Sequence, residues 1–189
     1  MNRREMMQAL AMAAAATAVS CSDSVSEPGV TAQARASGTG FLSVDELVLF
    51  SAIAQTIIPK TDTPGAVEAG VVERVDTALA LWQSDEVRTQ WTTGLAELGE
   101  LLVDKAGASF AERDGESRLA ALSAVEIGAE GTPDNARGFF SQLKNFVCLA
   151  YYRSEPGATE ELYYEAVPGE YRGCVPFEEI GRAYAFGDL

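Results

Sequence analysis

The sequence predicts a mainly α protein, a single helical domain of about five helices with an extended, irregular C-terminal tail. Three observations predict it. Apolar residues recur at helical rather than alternating spacing between Phe41 and Tyr152, and several of these runs open on a capping signature. From Ser154 onward, prolines and glycines break every run within a turn. The 189 residues are enough for one domain with a sizeable core and short for two.

The N-terminus reads as an address. Residues 1–20, "MNRREMMQALAMAAAATAVS", place Arg3 and Arg4 before an alanine-dominated apolar run and then Cys21, the layout of a signal peptide. The run is shorter than the about 20 apolar residues a spanning helix needs. Its adjacent arginines and its wealth of Ala over Leu resemble a twin-arginine signal. Asn2, Met6, Met7 and Gln8 depart from that motif, so an ordinary secretory signal stays the alternative. Two cleavage sites compete. "AVSC" at 18–21 resembles a lipobox that would leave Cys21 lipidated and the chain anchored to a membrane, whereas "ATA" at 16–18 fits ordinary cleavage. Either way the protein is expected to be exported, to the periplasm or to a membrane face lining it. Residues 21–40 are Ser-, Gly-, Ala- and Thr-rich with almost nothing large and apolar, hence a flexible linker, and the folded domain is expected over 41–189.

The first helix opens on Ser43 with Glu46 three residues later, a capping box, and Leu42 and Leu47 form a hydrophobic staple. Leu47, Phe50, Ala54, Ile57 and Ile58 then share one face until Pro59 stops the run. Four more helices are expected: Val71 to Trp82 after Gly70; Asp85 to about Lys105; roughly Glu116 to Val125 after Asp114; and Pro133 to Tyr152, with Thr132 as its cap. In the last, Phe139, Leu143, Phe146, Val147 and Ala150 form an apolar stripe that reads as core. Between the first two helices lies "IIPKTDTPGAVEAGV", residues 57–71, a loop written unusually tightly. Pro59, Thr61, Asp62, Thr63, Pro64 and Gly65 mark it as a shaped connection: Thr61 and Thr63 can accept backbone N–H bonds, Asp62 can cap the turn, and Thr63 can cap a short helical turn begun by Pro64. The tightness serves the domain's own packing or the docking of a partner. The tyrosine-rich tail after Ser154 either folds back over the helices or offers its rings to a partner.

Composition removes whole classes of function. Lys and Arg number 14 against 28 Asp and Glu, a net charge of −14, so the basic footprint of a nucleic-acid binder is missing. There is no histidine, which closes Ser-His-Asp and Cys-His nucleophiles and histidine-ligated zinc or haem. No G-x-G-x-x-G, P-loop or C-x-x-C stands anywhere, so no catalytic, cofactor-binding or metal residue is expected in this chain. Asp62, Glu68, Glu73 and Asp76 could form a carboxylate cluster, but acids beside a loop usually make a solvated face, and the spacing of a calcium loop is absent.

"FLSVDELVLFSAIAQTIIPKTDTPGAVEAGV" and "YYRSEPGATEELYYEAVPGEYRGCVP" resemble the gluconate 2-dehydrogenase subunit 3 family, with the likeness running from about Phe41 to Tyr184. The resemblance implies an accessory small subunit that pairs with a large FAD-containing subunit of the glucose-methanol-choline type, which oxidises a sugar or sugar acid. A separate cytochrome c, carrying haem, often passes the electrons on. It also implies a role for the leader: flavin is loaded in the cytoplasm and the twin-arginine translocon carries folded cargo, so the small subunit can escort a signal-less large one. The alternative is a stand-alone envelope lipoprotein that binds another protein. Cys148 and Cys174 either bridge each other, pinning the tail to the last helix, or Cys148 bonds the large subunit.

Overall fold

The computed structural model describes residues 40–185, apart from 104–107, 166, 168 and 171–173. The leader with Arg3, Arg4 and Cys21, and the linker up to 39, lie outside the described residues. The helical reading holds. In order come α1 (Val44–Ile57), α2 (Val71–Leu81), α3 (Asp85–Leu101), a 3₁₀ turn (Phe110–Glu112), α4 (Gly115–Ile127), α5 (Asp134–Tyr152), a π turn (Gly157–Glu161) and a one-turn α6 (Phe177–Ile180). None of the described helices is long and apolar enough to cross a membrane.

Helix α1 forms where its capping signals say it should. Ser43 Oγ accepts from Glu46 N–H while the Glu46 carboxylate accepts from Ser43 N–H at 2.8 Å, so two otherwise orphaned donors are satisfied reciprocally. At the far end Ile58 turns extended (φ −126°, ψ 86°), as a residue ahead of a proline must. Helix α1 packs against α2, α3, α4 and α5, which makes it the centre of the bundle. Its buried surface is therefore wider than the single face read from the sequence: Phe50, Ser51, Ala52, Ile53 and Ala54 are all inside. The core continues through Val71, Val72, Leu95, Leu98, Leu143 and Val147, each of which gains roughly 1.5–3 kcal/mol by leaving water.

Trp91 of α3 is the aromatic hub. Its indole meets Phe50, Phe139 and Phe146 edge-on, with centroids 5.6–5.8 Å apart, contacts worth about 0.5–1.5 kcal/mol each beyond area. Phe139 and Phe146 consequently sit on a half-covered flank of α5. The buried stripe of that helix is Ala136, Phe140, Leu143, Val147 and Tyr151, rotated by about one residue from the stripe read from the sequence.

Two helix ends also differ from expectation. Helix α5 is capped by Pro133, not Thr132: Pro133 is extended (φ −67°, ψ 146°) and its carbonyl takes the first helical bond, from Arg137 N–H, which leaves Thr132 one residue outside. Helix α3 ends at Leu101, and the Arg113 guanidinium donates to the carbonyl of Leu102 just beyond it; Lys105 lies outside the described residues. Between α2 and α3, Arg88 donates to the carbonyls of Leu79 and Ala80 at 2.8 and 2.6 Å, a cation at the negative end of α2.

The tail is irregular as expected, with only short elements among the described residues, and its first part is anchored. Ser154 and Ala158 are buried against the end of α5, where Ser154 Oγ donates to the Tyr151 carbonyl and accepts from Gly157 N–H. Further on, a parallel bridge joins Tyr163 to Tyr184, whose rings meet edge-on at 5.1 Å. The first part thus folds back over the bundle, while these tyrosines stay largely exposed and pack on each other.

Candidate functional site

The tight loop is held from three sides. Ala66 N–H donates to Ile58 O at 3.0 Å, closing the loop on the end of α1. Gln55 accepts from Val67 N–H at 3.2 Å, and the Tyr151 hydroxyl donates to Pro64 O at 2.9 Å. Gly65 is buried, and nothing larger fits there: a Cβ would lie 2.8 Å from Lys60 N and 2.6 Å from the Gln55 amide. The short helical turn is present but begins at Gly65, whose N–H is taken by Glu68 Oε2 at 2.9 Å. Thr63 is therefore not its cap, and its hydroxyl instead donates to Glu161 in the π turn at 3.0 Å. Thr61 and Asp62 point outward, and among the described residues their side chains bond nothing. The loop is bonded into the domain's own packing, and its exposed side chains are Pro59, Lys60, Thr61, Asp62 and Glu68.

The four carboxylates do not converge. Asp76 is buried, and its Oδ1 accepts from Phe41 and Leu42 N–H at 2.8 and 2.7 Å, fastening the start of the domain to α2. Glu68 pairs with Lys60 at 2.6 Å; that ammonium and the Gly65 N–H hold its carboxyl below the usual glutamate range. Glu73 and Asp62 are exposed. Among the described residues no three His, Cys, Asp or Glu side chains gather as a metal cluster would. Cys148 is half-buried on α5 and Cys174 exposed in the tail, both as free thiols. Burial pushes the Cys148 thiol up, against the pull of Lys144.

What the fold assembles instead is an apolar groove of about 300 Å³ between α2 and α5. Its floor is Val75, Leu79 and Trp91, and its walls are Ala78 and Trp82 on one side and Phe146 and Leu149 on the other. Trp82 is 75% exposed and Leu149 50%. Arg74 and Arg153 stand at the rim, both exposed, and no acid lines the groove. A second groove, between α3 and α5, is lined largely by polar side chains, including Thr89, Gln90 and Gln142, with Asn135 bonded to Glu97 at 2.6 Å.

Neither Trp82 nor Leu149 was legible as functional from the sequence. The signal was present on α5, which carries more apolar arc than one buried stripe uses: Phe139, Phe146 and Leu149 remain after Phe140, Leu143 and Val147 are spent on the core. This surplus leaves apolar side chains of α5 facing solvent beside Trp82.

A family model described as gluconate 2-dehydrogenase subunit 3 matches residues 44–169, which span α1 through the π turn and all the residues that build the loop and the groove. Neither the curated proteins nor the solved structures yielded a match.

Proposed function

From the premise that the chain belongs to the gluconate 2-dehydrogenase subunit 3 family, accessory subunits of dehydrogenase complexes, we propose that it is the non-catalytic small subunit of an exported FAD-dependent sugar or sugar-acid dehydrogenase. The match over 44–169 is the observation that carries this reading. The chain's part is to bind the large flavoprotein in the cytoplasm, support its folded state, and take it through the twin-arginine translocon on the leader containing Arg3 and Arg4. Anything that binds only the folded large subunit stabilises it by mass action, so escort and folding support are one physical act. Flavin and substrate belong to the partner in this reading, as haem would to a cytochrome subunit, and acylated Cys21 would anchor the assembly to the membrane.

The test is co-expression with the flavoprotein of the neighbouring reading frame, comparing the native leader with Arg3→Lys and Arg4→Lys together. Flavin-linked dehydrogenase activity should reach the periplasm only with the native leader. Activity that persists there in the double variant would overturn the escort mechanism.

A further inference from the structure

We infer that the groove between α2 and α5 is the seat of the large subunit, and that it takes an apolar segment flanked by carboxylates. The inference rests on the functional reading above for the identity of the partner, but the face and the chemistry come from the structure. An exposed tryptophan beside exposed Phe146 and Leu149, with arginines at the edge, has the composition of an interface centre rather than of ordinary surface. The cavity of about 300 Å³ suits the side chains of a short segment rather than a whole helix.

Charge selects the occupant. The chain has twice as many acids as cations, 28 against 14, yet the groove is lined by Arg74 and Arg153 and by no acid. Neither guanidinium has an ion-pair partner among the described residues. Screening acts over about 10 Å at ordinary ionic strength, so the two arginines that line the groove act directly on a docked segment, although exposed Glu73 and Glu155 stand one and two residues from them in the chain. A second copy of this chain fits poorly, because a two-fold pairing through the groove would set the same arginines against each other between two bodies of charge −14. The chain's own leader fits no better: its apolar run follows Arg3 and Arg4, again like against like.

The test uses the full chain co-expressed with a tagged large subunit, with the retained small subunit measured after capture at low and high salt. The variants are Trp82→Ala, Leu149→Glu, and Arg74→Glu combined with Arg153→Glu. The control is Leu119→Glu with Ile127→Glu on α4, where those side chains are 57% and 75% exposed. Retention should fall about tenfold or more in each groove variant and stay at the native level in the control. The arginine reversals should also remove the salt dependence. Thermal unfolding of each isolated variant separates lost docking from lost folding, and Trp82→Ala, at a site 75% exposed, keeps the test informative if Leu149→Glu unfolds. Native small subunit that is not retained sinks the functional reading, and this inference with it. Native retention with unimpaired groove variants sinks this inference alone. A chain that is dimeric by light scattering and becomes monomeric in Leu149→Glu would assign the groove to a second copy and overturn the proposal.

Discussion

The hydroxyl of Tyr151, near the end of α5, donates to the carbonyl of Pro64 at 2.9 Å, joining residues 87 positions apart in the chain. Tyr151 is 2% exposed, so its ring fills the core while its oxygen fixes the loop that leads into α2. Replacing it by Phe keeps the ring and strands the carbonyl. Tyr151→Phe should cost about 1–3 kcal/mol, read as a lower urea midpoint at unchanged m-value. An unchanged midpoint would show that the loop's other bonds, to Gln55, Ile58 and Glu161, suffice to hold it.

Glycines divide by what a methyl group would meet. At Gly157 a Cβ would fall 2.0 Å from the Tyr151 carbonyl oxygen, a backbone atom that cannot swing away. At Gly138, on the outer face of α5, it would meet nothing within 4 Å. Gly157→Ala should therefore destabilise by at least about 1–3 kcal/mol. Gly138→Ala should stabilise by about 0.5–1 kcal/mol, through helix propensity. Thermal unfolding of the pair checks both signs, and equal effects would mean the π turn gives way without cost.

The helices were legible wherever local chemistry decides them. Ser43 with Glu46 announces the start of α1, Pro59 its end, and Asp114 the start of α4, because capping and proline geometry act within a few residues. What local pattern cannot show is how many neighbours a helix has. Helix α1 looked one-sided and is surrounded; α5 looked fully committed to the core and keeps a flank of Phe146 and Leu149 for the groove, since Trp91 is supplied by a distant helix. The loop around Gly65 was recognisable as shaped, yet its partners Tyr151 and Glu161 are tertiary, so Thr63 was assigned the wrong bond. Asp76 looked like a candidate acid and is a fastener, for the same reason.

That fastening gives a third prediction. Asp76 is 2% exposed and offers one carboxylate oxygen to two N–H groups at the start of the domain. Truncation to Ala leaves both donors without a partner where water is scarce. Asp76→Ala should cost about 2–4 kcal/mol, given that a hydrogen bond to a charged group contributes about 1.5–3 kcal/mol, whereas Asp76→Asn retains an acceptor and should lose less. Limited proteolysis should then cut near Phe41 and Leu42 in the Ala variant first. If the two substitutions are equally costly, the neutral acceptor contributes nothing and the charge carries the fastening; if neither costs anything, the fastening is dispensable.

Acid sensitivity follows from three carboxylates with lowered values. Glu68 is held down by Lys60 and the Gly65 N–H, Glu112 by the N–H and hydroxyl of Ser109, and Asp114 by the N–H and hydroxyl of Ser117. In the unfolded chain they titrate near the ordinary 4.5 for Glu and 3.8 for Asp. Because the folded values are lower, the unfolded state takes up protons first as pH falls, and it is the unfolded state that gains. The stability these groups provide is present above the unfolded values and disappears as pH drops through the folded ones. All three are exposed, so each contribution is small, and only the Glu68 pair should weaken with salt. The urea midpoint should be flat above roughly pH 5 and fall below it, more gently in a Glu68→Gln, Glu112→Gln, Asp114→Asn variant. An acid limb of the same steepness in that variant would move the cause to other carboxylates.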